Sequence, residues 1–238
     1  MTGAADGFPS LEGLAQRFGL SSRQEEQLRQ YGGRLSSDDL APTTVRAGER
    51  IRDDHLADAL VALDLPIVQA ARALADLGSG AGVPGIPLAI ALPDVQVTLI
   101  EGNGRKCAFM ADVAAGLGLM NVEVVHGRAE TWKEGIGRED IITARALAPL
   151  DVIAEYAAPL LRIGGALVAW RGQRDPQVEA DGLRAAELLG LAVEPPLRVD
   201  PYAGAQNRYL HVMSKVRETP SRFPRRDGVA RKRPLGRA

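Results

Sequence analysis

A glycine-rich stretch in the first half of the chain is the part of the sequence best suited to hold a nucleotide. It reads Asp76-Leu-Gly-Ser-Gly-Ala-Gly-Val-Pro-Gly85 and begins within an apolar, strand-like run. Glycine accepts a positive φ in a tight turn, and without a Cβ it lets the backbone approach a ligand closely. Glu101 ends the next strand-like run, where a carboxylate can accept hydrogen bonds from both hydroxyls of a ribose. These two features predict a site for an adenosine-containing cofactor.

Two classes of cofactor fit the glycine stretch. Gly80, Gly82 and Gly85 satisfy the G-x-G-x-x-G pattern of dinucleotide enzymes. Asp76, two residues before Gly78, instead matches the acidic-x-Gly-x-Gly pattern of methyltransferases that use S-adenosylmethionine, where the carboxylate helps hold the methionine end. No later segment resembles a dehydrogenase substrate domain. We therefore predict a methyltransferase, with a dinucleotide-dependent oxidoreductase and a glycine turn without a ligand as the alternatives.

The elements that must position this turn follow from the hydrophobic pattern. Strand-like runs alternate with helical segments from residue 73 onward, which predicts a mostly parallel α/β sheet covered on both faces. The predicted strands are 73–77, 95–101, 122–126, 141–145 and 166–170, and the predicted helices are 86–91, 105–117, 150–161 and 176–189. Two further runs, 191–199 and 208–216, are joined without a helix and predict an antiparallel hairpin at one edge. The fold class is a Rossmann-like class I methyltransferase sheet.

Three regions follow from this pattern. Residues 1–72 predict an N-terminal helical cap, in which Ser22 and Glu25 have capping-box spacing. Residues 73–216 form the S-adenosylmethionine-binding core, and residues 217–238 form a basic C-terminal tail. The tail holds eight basic and two acidic residues, whereas the whole chain has a net charge of -1. Such a tail commonly contacts nucleic acid, and the alternative is a solvated, disordered end.

Composition excludes several classes of protein. The chain has 238 residues, of which 45% are hydrophobic and 25% charged, so a wholly disordered chain is excluded. Cys107 is the single cysteine, and no cluster of Cys and His has metal-ligand spacing, which favours a reducing, cytoplasmic setting without a metal. Residues 1–10 lack the features of a signal peptide, and no apolar run is long enough to span a membrane. No heptad pattern stands out, so a monomer is expected.

Several linked motifs make the sequence specific. They read Asp76-Leu-Gly-Ser-Gly-Ala-Gly-Val-Pro-Gly-Ile-Pro-Leu88, Arg105-Lys-Cys-Ala-Phe109, His126-Gly-Arg-Ala-Glu130, Thr143-Ala-Arg-Ala146, Phe223-Pro-Arg-Arg-Asp-Gly228 and Lys232-Arg-Pro-Leu235. With these motifs in this order, the chain resembles the RsmG/GidB family of 16S ribosomal RNA guanine-N7 methyltransferases from about Leu20 to Leu235. The resemblance implies transfer of a methyl group from S-adenosylmethionine to N7 of a guanine in the small ribosomal subunit.

The resemblance also assigns residues to the site. It implies that Gly78 and Val83 line the cofactor pocket, that Ala129 and Glu130 contact the adenine, and that Arg145 faces cofactor and substrate. All five positions fall at the carboxyl edge of the predicted sheet, where open α/β sheets bind their ligands. With Asp76, Gly80, Gly82 and Glu101 from the glycine turn and second strand, they form the predicted cofactor site. Guanine N7 already carries a free lone pair, so no general base is expected, and Arg145 is predicted to position the reactants.

Basic residues supply the predicted RNA contacts. These are Arg105, Lys106, Arg171, Arg225, Arg226, Arg231, Lys232 and Arg233, whose attraction to phosphate falls as salt rises. Trp132 and Trp170 follow predicted strands and are candidates to flank the target base. A methyltransferase of a small molecule or a protein remains the alternative, and it would not need the basic tail.

The sequence departs from the family pattern in three places. Residues 35–46 lack the Trp-Asn pair and the Asn-Leu-Thr of the family. Asp54-His55 stands where the family has Arg-His, and Arg208-Tyr209 stands where Arg-His is usual. These departures leave the predicted cofactor site unchanged and concern the contribution of the N-terminal region to RNA docking or to cap packing. We predict that His55 is a packed core histidine.

Overall fold

A twisted sheet of eight strands organises the molecule. The computed structural model of the chain describes residues 10–237. The strand order is β3-β2-β1-β4-β5-β8-β6, with β7 paired to β8 beside this path. The strands are β1 Ala73–Leu77, β2 Gln96–Glu101, β3 Val122–His126, β4 Glu139–Arg145, β5 Leu161–Arg171, β6 Leu191–Val193, β7 Leu197–Arg198 and β8 Tyr209–Lys215. The first five pair in parallel, and β8 runs antiparallel to β5, β6 and β7.

Helices precede the sheet and connect its parallel strands. The α-helices are α1 Glu12–Phe18, α2 Ser22–Ser37, α3 Gly48–Ile51, α4 Asp58–Leu60, α5 Pro66–Gln69, α6 Gly85–Ala91, α7 Gly104–Gly116, α8 Leu150–Ala157, α9 Pro176–Leu189 and α10 Val229–Lys232. A π-helix spans Arg52–Ala57, and 3₁₀ turns span Val61–Asp64, Ala129–Thr131 and Lys133–Gly135. Helices α6, α7 and α8 connect successive parallel strands, and two of the 3₁₀ turns connect β3 to β4. Strands and helices therefore alternate as the sequence predicts.

Side chains that alternate along the strands build two apolar layers. Leu74, Leu99 and Val168 belong to the cluster shared with the N-terminal cap, α6 and α7. Ala75 and Ile142 belong to the opposite cluster, which includes residues of α8, α9 and the tail. The cap therefore shares one core with the sheet.

The predicted architecture is confirmed, and four local expectations were wrong. The capping box of α2 uses Ser21 and Gln24, one residue before the predicted pair. Helix α8 was predicted to end at residue 161 but ends at Ala157, because residues 158–160 form a turn. Strand β5 begins at Leu161 and not at residue 166 as predicted. The predicted strand 191–199 is divided into β6 and β7, and both pair with β8.

The C-terminal tail packs against the protein as far as residue 237. Phe223 is 8% exposed and Ala230 is 1% exposed, and both belong to the second apolar cluster. Arg225 and Arg237 form ion pairs with the buried Glu155 and with Asp151, respectively. The tail over these residues is thus an ordered part of the fold and not a solvated end.

Two searches of residues 10–237 concern membranes and metals. No helix in this range is both long and apolar enough to cross a bilayer. The same range contains no group of three or more His, Cys, Asp or Glu side chains arranged to hold a metal ion. The expectation about the first ten residues falls almost entirely on residues 1–9, which lie outside the described range.

Candidate active site

The glycine turn follows β1 at the carboxyl edge of the sheet. Gly78, Gly80 and Gly82 have φ values of 66°, 62° and 95°, which an L side chain rarely adopts. The amides of Gly78 and Ser79 donate to the Ile100 carbonyl at 2.8 and 3.2 Å, so the turn is fixed to β2. A Cβ at Gly78 would lie 2.5 Å from Cδ1 of Leu147. The positive φ therefore favours glycine here, and the missing Cβ also leaves room for the Leu147 side chain.

Asp76 lies beneath this turn. Its Oδ1 accepts a hydrogen bond of 2.7 Å from the Thr143 hydroxyl, and its Oδ2 accepts one of 3.3 Å from the Gly85 amide. The carboxyl is 1% exposed, and burial raises its pKa to about 6 against the opposing effect of these hydrogen bonds. Asp76 thus links β1, β4 and the start of α6.

Glu101 ends β2 beside the turn. Its Oε2 accepts from the Gly80 amide at 3.1 Å, and its Oε1 accepts from the Asn103 amide at 2.9 Å. These bonds orient the carboxylate while leaving it partly exposed at the sheet edge. A carboxylate held in this way has lone pairs available for the two hydroxyls of a ribose.

A cavity of about 460 Å³ opens at this edge, and we call it the cofactor pocket. Gly78, Glu101, Ala129 and Glu130, all predicted cofactor residues, line it. The hydroxyl of Tyr156, another lining residue, is buried and forms no hydrogen bond of normal geometry with the described residues. The volume lies within the range of about 300–1,000 Å³ for small-ligand sites. The glycine turn, the oriented carboxylate and the orphaned hydroxyl fit an adenosine-containing cofactor.

Five other predicted cofactor residues do not line the cofactor pocket. They are Asp76, Gly80, Gly82, Val83 and Arg145. Gly82 allows close packing of Ile86, because a Cβ there would lie 2.4 Å from Ile86 Cδ1. Val83 is 7% exposed and packs into the apolar cluster shared with the cap.

A second cavity, of about 290 Å³, adjoins the first, and we call it the neighbouring pocket. Ala146 lines both cavities. Its φ of 54° is unusual for a residue with a Cβ, and such strained positions concentrate at functional sites. The other lining residues are Asp54, Asp58, Arg145, Trp170, Arg171, Gly172, Val199, Arg208 and Tyr209.

Arg145 lies at the end of β4 on the floor of the neighbouring pocket. Its Nη1 donates to the Asp54 carbonyl at 2.7 Å and to Asp58 Oδ2 at 3.0 Å. Its Nη2 lies 3.1 Å from Nδ1 of His55, and Nε2 of the same imidazole lies 3.0 Å from the Thr43 hydroxyl. Since the guanidinium only donates, Nδ1 accepts and the imidazole proton lies on Nε2. The π-helix of the cap therefore fixes the orientation of Arg145.

His55 is 9% exposed, as expected for a packed core histidine. Burial and, to a smaller extent, the charge of Arg145 lower its pKa. A neutral imidazole is the form that accepts the hydrogen bond from Arg145.

Asp54 and Tyr209, two of the residues that depart from the family pattern, line the neighbouring pocket. Asp54 accepts from the Tyr202 hydroxyl at 2.7 Å and from Arg208 Nη2 at 3.0 Å. Arg208 Nε and Asp58 Oδ1 lie 3.6 Å apart, and both atoms are buried without a hydrogen bond to the described residues. Trp170 donates its indole N–H to the Asp58 carbonyl at 2.7 Å. An acidic residue at position 54 is thus accommodated by an ion pair with Arg208.

The predicted RNA-binding residues separate into distinct groups. Arg171 lines the neighbouring pocket, Lys106 and Arg231 line the cofactor pocket, and Arg105 is exposed at the start of α7. Arg225 is held by buried Glu155, with its Nε 2.6 Å from Oε1. Arg226, Lys232 and Arg233 are exposed, line neither pocket and form no ion pair with the described residues.

Sequence reasoning missed several residues of the two cavities. Tyr156 lies within the amphipathic helix α8, where its spacing indicates only core packing. Asp58 follows Asp54 by one helical turn, and this spacing was the available signal for two carboxylates on one face. Trp170 was a candidate to flank the base and does line the neighbouring pocket, whereas Trp132 packs against the second apolar cluster.

Comparison with known proteins gives one family. Residues 24–191 match the family model GidB, described as rRNA small subunit methyltransferase G. The ribosomal RNA small subunit methyltransferase G of Rubrobacter xylanophilus is 41% identical over 196 residues, which cover 80% of this chain and 75% of that relative. The protein of the same name from Chloroflexus aggregans is 40% identical over 225 residues, covering 91% and 92%.

Solved structures share the fold at low sequence identity. Mitomycin 7-O-methyltransferase MmcR superposes with a TM-score of 0.58 at 16% identity, covering 90% of this chain and 74% of that chain. The S-adenosylmethionine-dependent methyltransferase SibL in its apo form gives a TM-score of 0.56 at 16% identity, with coverage of 86% and 77%. The sheet and its connections are therefore those of class I methyltransferases.

Proposed function

The chain belongs to the GidB family of small-subunit ribosomal RNA methyltransferases, and we propose that it methylates N7 of one guanine in 16S ribosomal RNA. It is an S-adenosylmethionine-dependent methyltransferase. The observation that supports the proposed reaction best is the junction of two cavities at Ala146. One cavity fits the cofactor, and the other provides a place for the target base beside it.

The cofactor supplies a methyl group on a sulfonium centre, which a nucleophile can attack directly. We infer that Glu101 binds the ribose and that Ala129, Glu130 and Tyr156 surround the adenine. Gly78 lets the backbone approach the rest of the cofactor, and the Asp76 carboxylate keeps the turn in shape through its bonds to Thr143 and Gly85. The other predicted cofactor residues, Gly80, Gly82, Val83 and Arg145, act by holding the pocket and its junction in place.

We infer that the flipped guanine enters the neighbouring pocket. Enzymes that modify a base take it out of its stack and hold it against aromatic or apolar side chains. Trp170 and Tyr209 supply aromatic surface there, and Arg145, Arg171 and Arg208 supply donors for the acceptors of a guanine. The cavity volume of about 290 Å³ is close to the lower end of the range for small-ligand sites, which is compatible with a single base.

Catalysis then depends on alignment. Guanine N7 carries its lone pair without deprotonation, so the site has no need of a general base. Holding two reactants in an attacking geometry can supply about 7–11 kcal/mol of the barrier. Arg145 is the positioning residue in this proposal, because His55, Asp54 and Asp58 fix its guanidinium at the junction of the pockets.

The wider proposal concerns partners and regions. In this proposal the cap, predicted as residues 1–72, contributes Asp54 and Asp58 to the substrate pocket. The core, residues 73–216, supplies most of the cofactor pocket, and the tail, predicted as residues 217–238, brings exposed basic side chains to the RNA. Small ribosomal subunits occur in the cytoplasm, and we propose that the protein acts there as a monomer without a metal. Arg105, Lys106, Arg171 and the exposed tail residues would attract phosphates in a salt-dependent way.

The test is transfer of labelled methyl from S-adenosylmethionine to purified small subunits that lack the modification. Nuclease digestion and mass spectrometry should reveal N7-methylguanine at one position, and Glu101→Gln should reduce the transfer because it weakens ribose binding. Mature, modified subunits serve as the control substrate and should accept no label. Cofactor binding without transfer to subunits or to naked RNA would instead support a small-molecule methyltransferase.

A further inference from the structure

The C-terminal segment 223–233 lies against the loops that surround the cofactor pocket. The Gly228 amide donates to Glu130 Oε1 at 3.2 Å, and Asp227 pairs with Arg128 at 2.8 Å. Phe223 and Ala230 are buried in the same apolar cluster as Ala129 and Leu147. The segment is therefore fixed both to the loop after β3 and to the loop after β4.

Arg231 is the side chain of this segment that lines the pocket. Its Nη2 donates to the Leu147 carbonyl at 3.1 Å, which fixes the guanidinium beside another lining residue of the pocket. The side chain is otherwise exposed and has no ion pair with an acidic residue among the described residues. A cation fixed at a cavity wall, with donors to spare, is available to a ligand.

A second polar group in the pocket is poorly satisfied by the protein. Tyr156 is 4% exposed and lines the cavity, and its hydroxyl has no hydrogen bond of normal geometry with the described residues. Burial raises the pKa of Tyr156, and the nearby Arg231 guanidinium opposes this rise. Unpaired buried polar groups are rare in folded proteins, and a ligand is one way to satisfy them. Arg231 and Tyr156 thus define a polar wall at the end of the pocket formed by Ala129 and Glu130.

We propose that Arg231 binds the adenosine part of the cofactor and that segment 223–233 forms a wall of the cofactor pocket. This proposal rests on the proposed function, because it requires S-adenosylmethionine in that pocket. A guanidinium plane can stack on a purine ring and donate to its nitrogen acceptors. The sequence assigned Arg231 to the RNA with the rest of the tail, and its position instead faces the cofactor.

The contacts of Glu130 follow from the same arrangement. The resemblance implies a contact between Glu130 and adenine, yet its side chain is 4% exposed and one oxygen already accepts from Gly228. Glu130 therefore holds the segment that carries Arg231 in place. The tail and the adenine-binding loop act as one structural unit.

The test is isothermal titration calorimetry with S-adenosylhomocysteine and, separately, with adenosine. Arg231→Gln should weaken the binding of both ligands about tenfold, since the variant lacks the charge that strengthens one hydrogen bond to the ligand. The matched control is Arg222→Gln, an exposed arginine next to the same segment that is not part of the pocket lining, and its affinities should stay within twofold of the wild type.

Thermal melting of the same variants separates ligand binding from packing. Arg231→Gln should melt within about 2 °C of the wild type, because the side chain is exposed. An S-adenosylhomocysteine affinity within twofold of the wild type would overturn the proposal, as would a fall in affinity matched by a large fall in melting temperature. If the wild-type protein itself failed to bind S-adenosylhomocysteine, the proposed function would fail first.

Discussion

At the scale of single residues, buried carboxyl groups have different effects at the two ends of the parallel strands. Asp76, at the carboxyl end of β1, is satisfied by Thr143 and Gly85 and shapes the cofactor turn. Glu139, at the opposite end of β4, is 5% exposed and its Oε2 has no hydrogen bond to the described residues. Burial, with a smaller contribution from the charge of Asp140, raises the pKa of Glu139 to about 7. Asp76 thus supports the site, whereas Glu139 lies outside both pockets, and its unsatisfied burial makes stability depend on pH up to about 7.

We predict that Glu139→Gln changes how stability depends on pH. A carboxyl whose pKa is raised in the folded state favours folding most below its unfolded pKa of 4.5, and this contribution disappears as the pH rises to about 7. The decrease amounts to at most about 3 kcal/mol, and the glutamine variant should not show it. Urea unfolding of both proteins between pH 4.5 and 8 measures the difference.

The control for this prediction is Glu134→Gln, an exposed residue nearby. Its unfolding free energy should follow that of the wild type at every pH. A Glu139→Gln variant that runs parallel to the wild type across the whole range would contradict the prediction.

Which site residues could be predicted depends on how local their signal is. Gly78 and Glu101 follow from strand ends and a short motif, because the turn and the carboxylate are defined within their own segments. Tyr156 and Arg231 reach the cofactor pocket from a crossover helix and from the tail. Their roles arise from tertiary packing that brings residues 75 positions apart together, and no pattern of spacing encodes it.

At the scale of elements, the cap and the sheet are joined at Arg145. The π-helix Arg52–Ala57 widens the helical turn and presents the Asp54 carbonyl and His55 to Arg145 at the end of β4. Such π-helical turns are frequent at functional sites. The sequence predicted a helical cap here but not its π geometry, since the extra residue per turn depends on the packing against β4. The antiparallel edge was predicted, and its division into β6 and β7 was not.

We predict that Arg145→Lys lowers kcat on small subunits at least tenfold and leaves the affinity for S-adenosylhomocysteine within about twofold. Lysine keeps one charge for Asp58 but lacks the planar fork that also reaches Asp54 and His55. Arg145 does not line the cofactor pocket, so cofactor binding should survive. Steady-state kinetics together with calorimetry measure the two effects separately.

Arg138→Lys is the matched control, because Arg138 is exposed and, among residues 10–237, its side chain donates only to the Glu134 carbonyl. Its kcat should equal that of the wild type. Equal activity of Arg145→Lys and the wild type would remove Arg145 from its proposed positioning role.

At the scale of the whole molecule, the C-terminal tail packs against the core and pairs with its buried acidic residues. Its basic residues suggested a surface arm, but Arg225 and Arg237 neutralise Glu155 and Asp151, which are 2% and 1% exposed. Net charge along the sequence does not reveal which basic side chains pair with buried acids elsewhere. Removal of residues 217–238 would therefore leave two buried carboxylates without their counter-charges and destabilise the fold. Loss of activity in such a truncated protein does not by itself indicate an RNA substrate.

We predict that Arg225→Met destabilises the protein by about 3–5 kcal/mol, because it leaves the buried carboxylate of Glu155 without a counter-charge. The double variant Arg225→Met with Glu155→Met should recover most of this stability, since both charges are then absent. Urea unfolding at neutral pH measures the cycle. Arg226→Met, a change at the exposed neighbouring residue, should stay within about 0.5 kcal/mol of the wild type.

The outer face of the same tail carries the basic side chains that are available to contact RNA. Arg226, Lys232 and Arg233 are exposed and unpaired among the described residues, so replacing all three with glutamine should leave the unfolding free energy and the affinity for S-adenosylhomocysteine unchanged. For every phosphate that the variant no longer neutralises, the slope of log affinity against log salt should fall by about 0.7–0.9, which gives a total reduction of about two to three. Filter binding to small-subunit RNA at several salt concentrations measures this slope. An unchanged slope would mean that the tail faces away from the RNA and serves only the fold and the cofactor pocket.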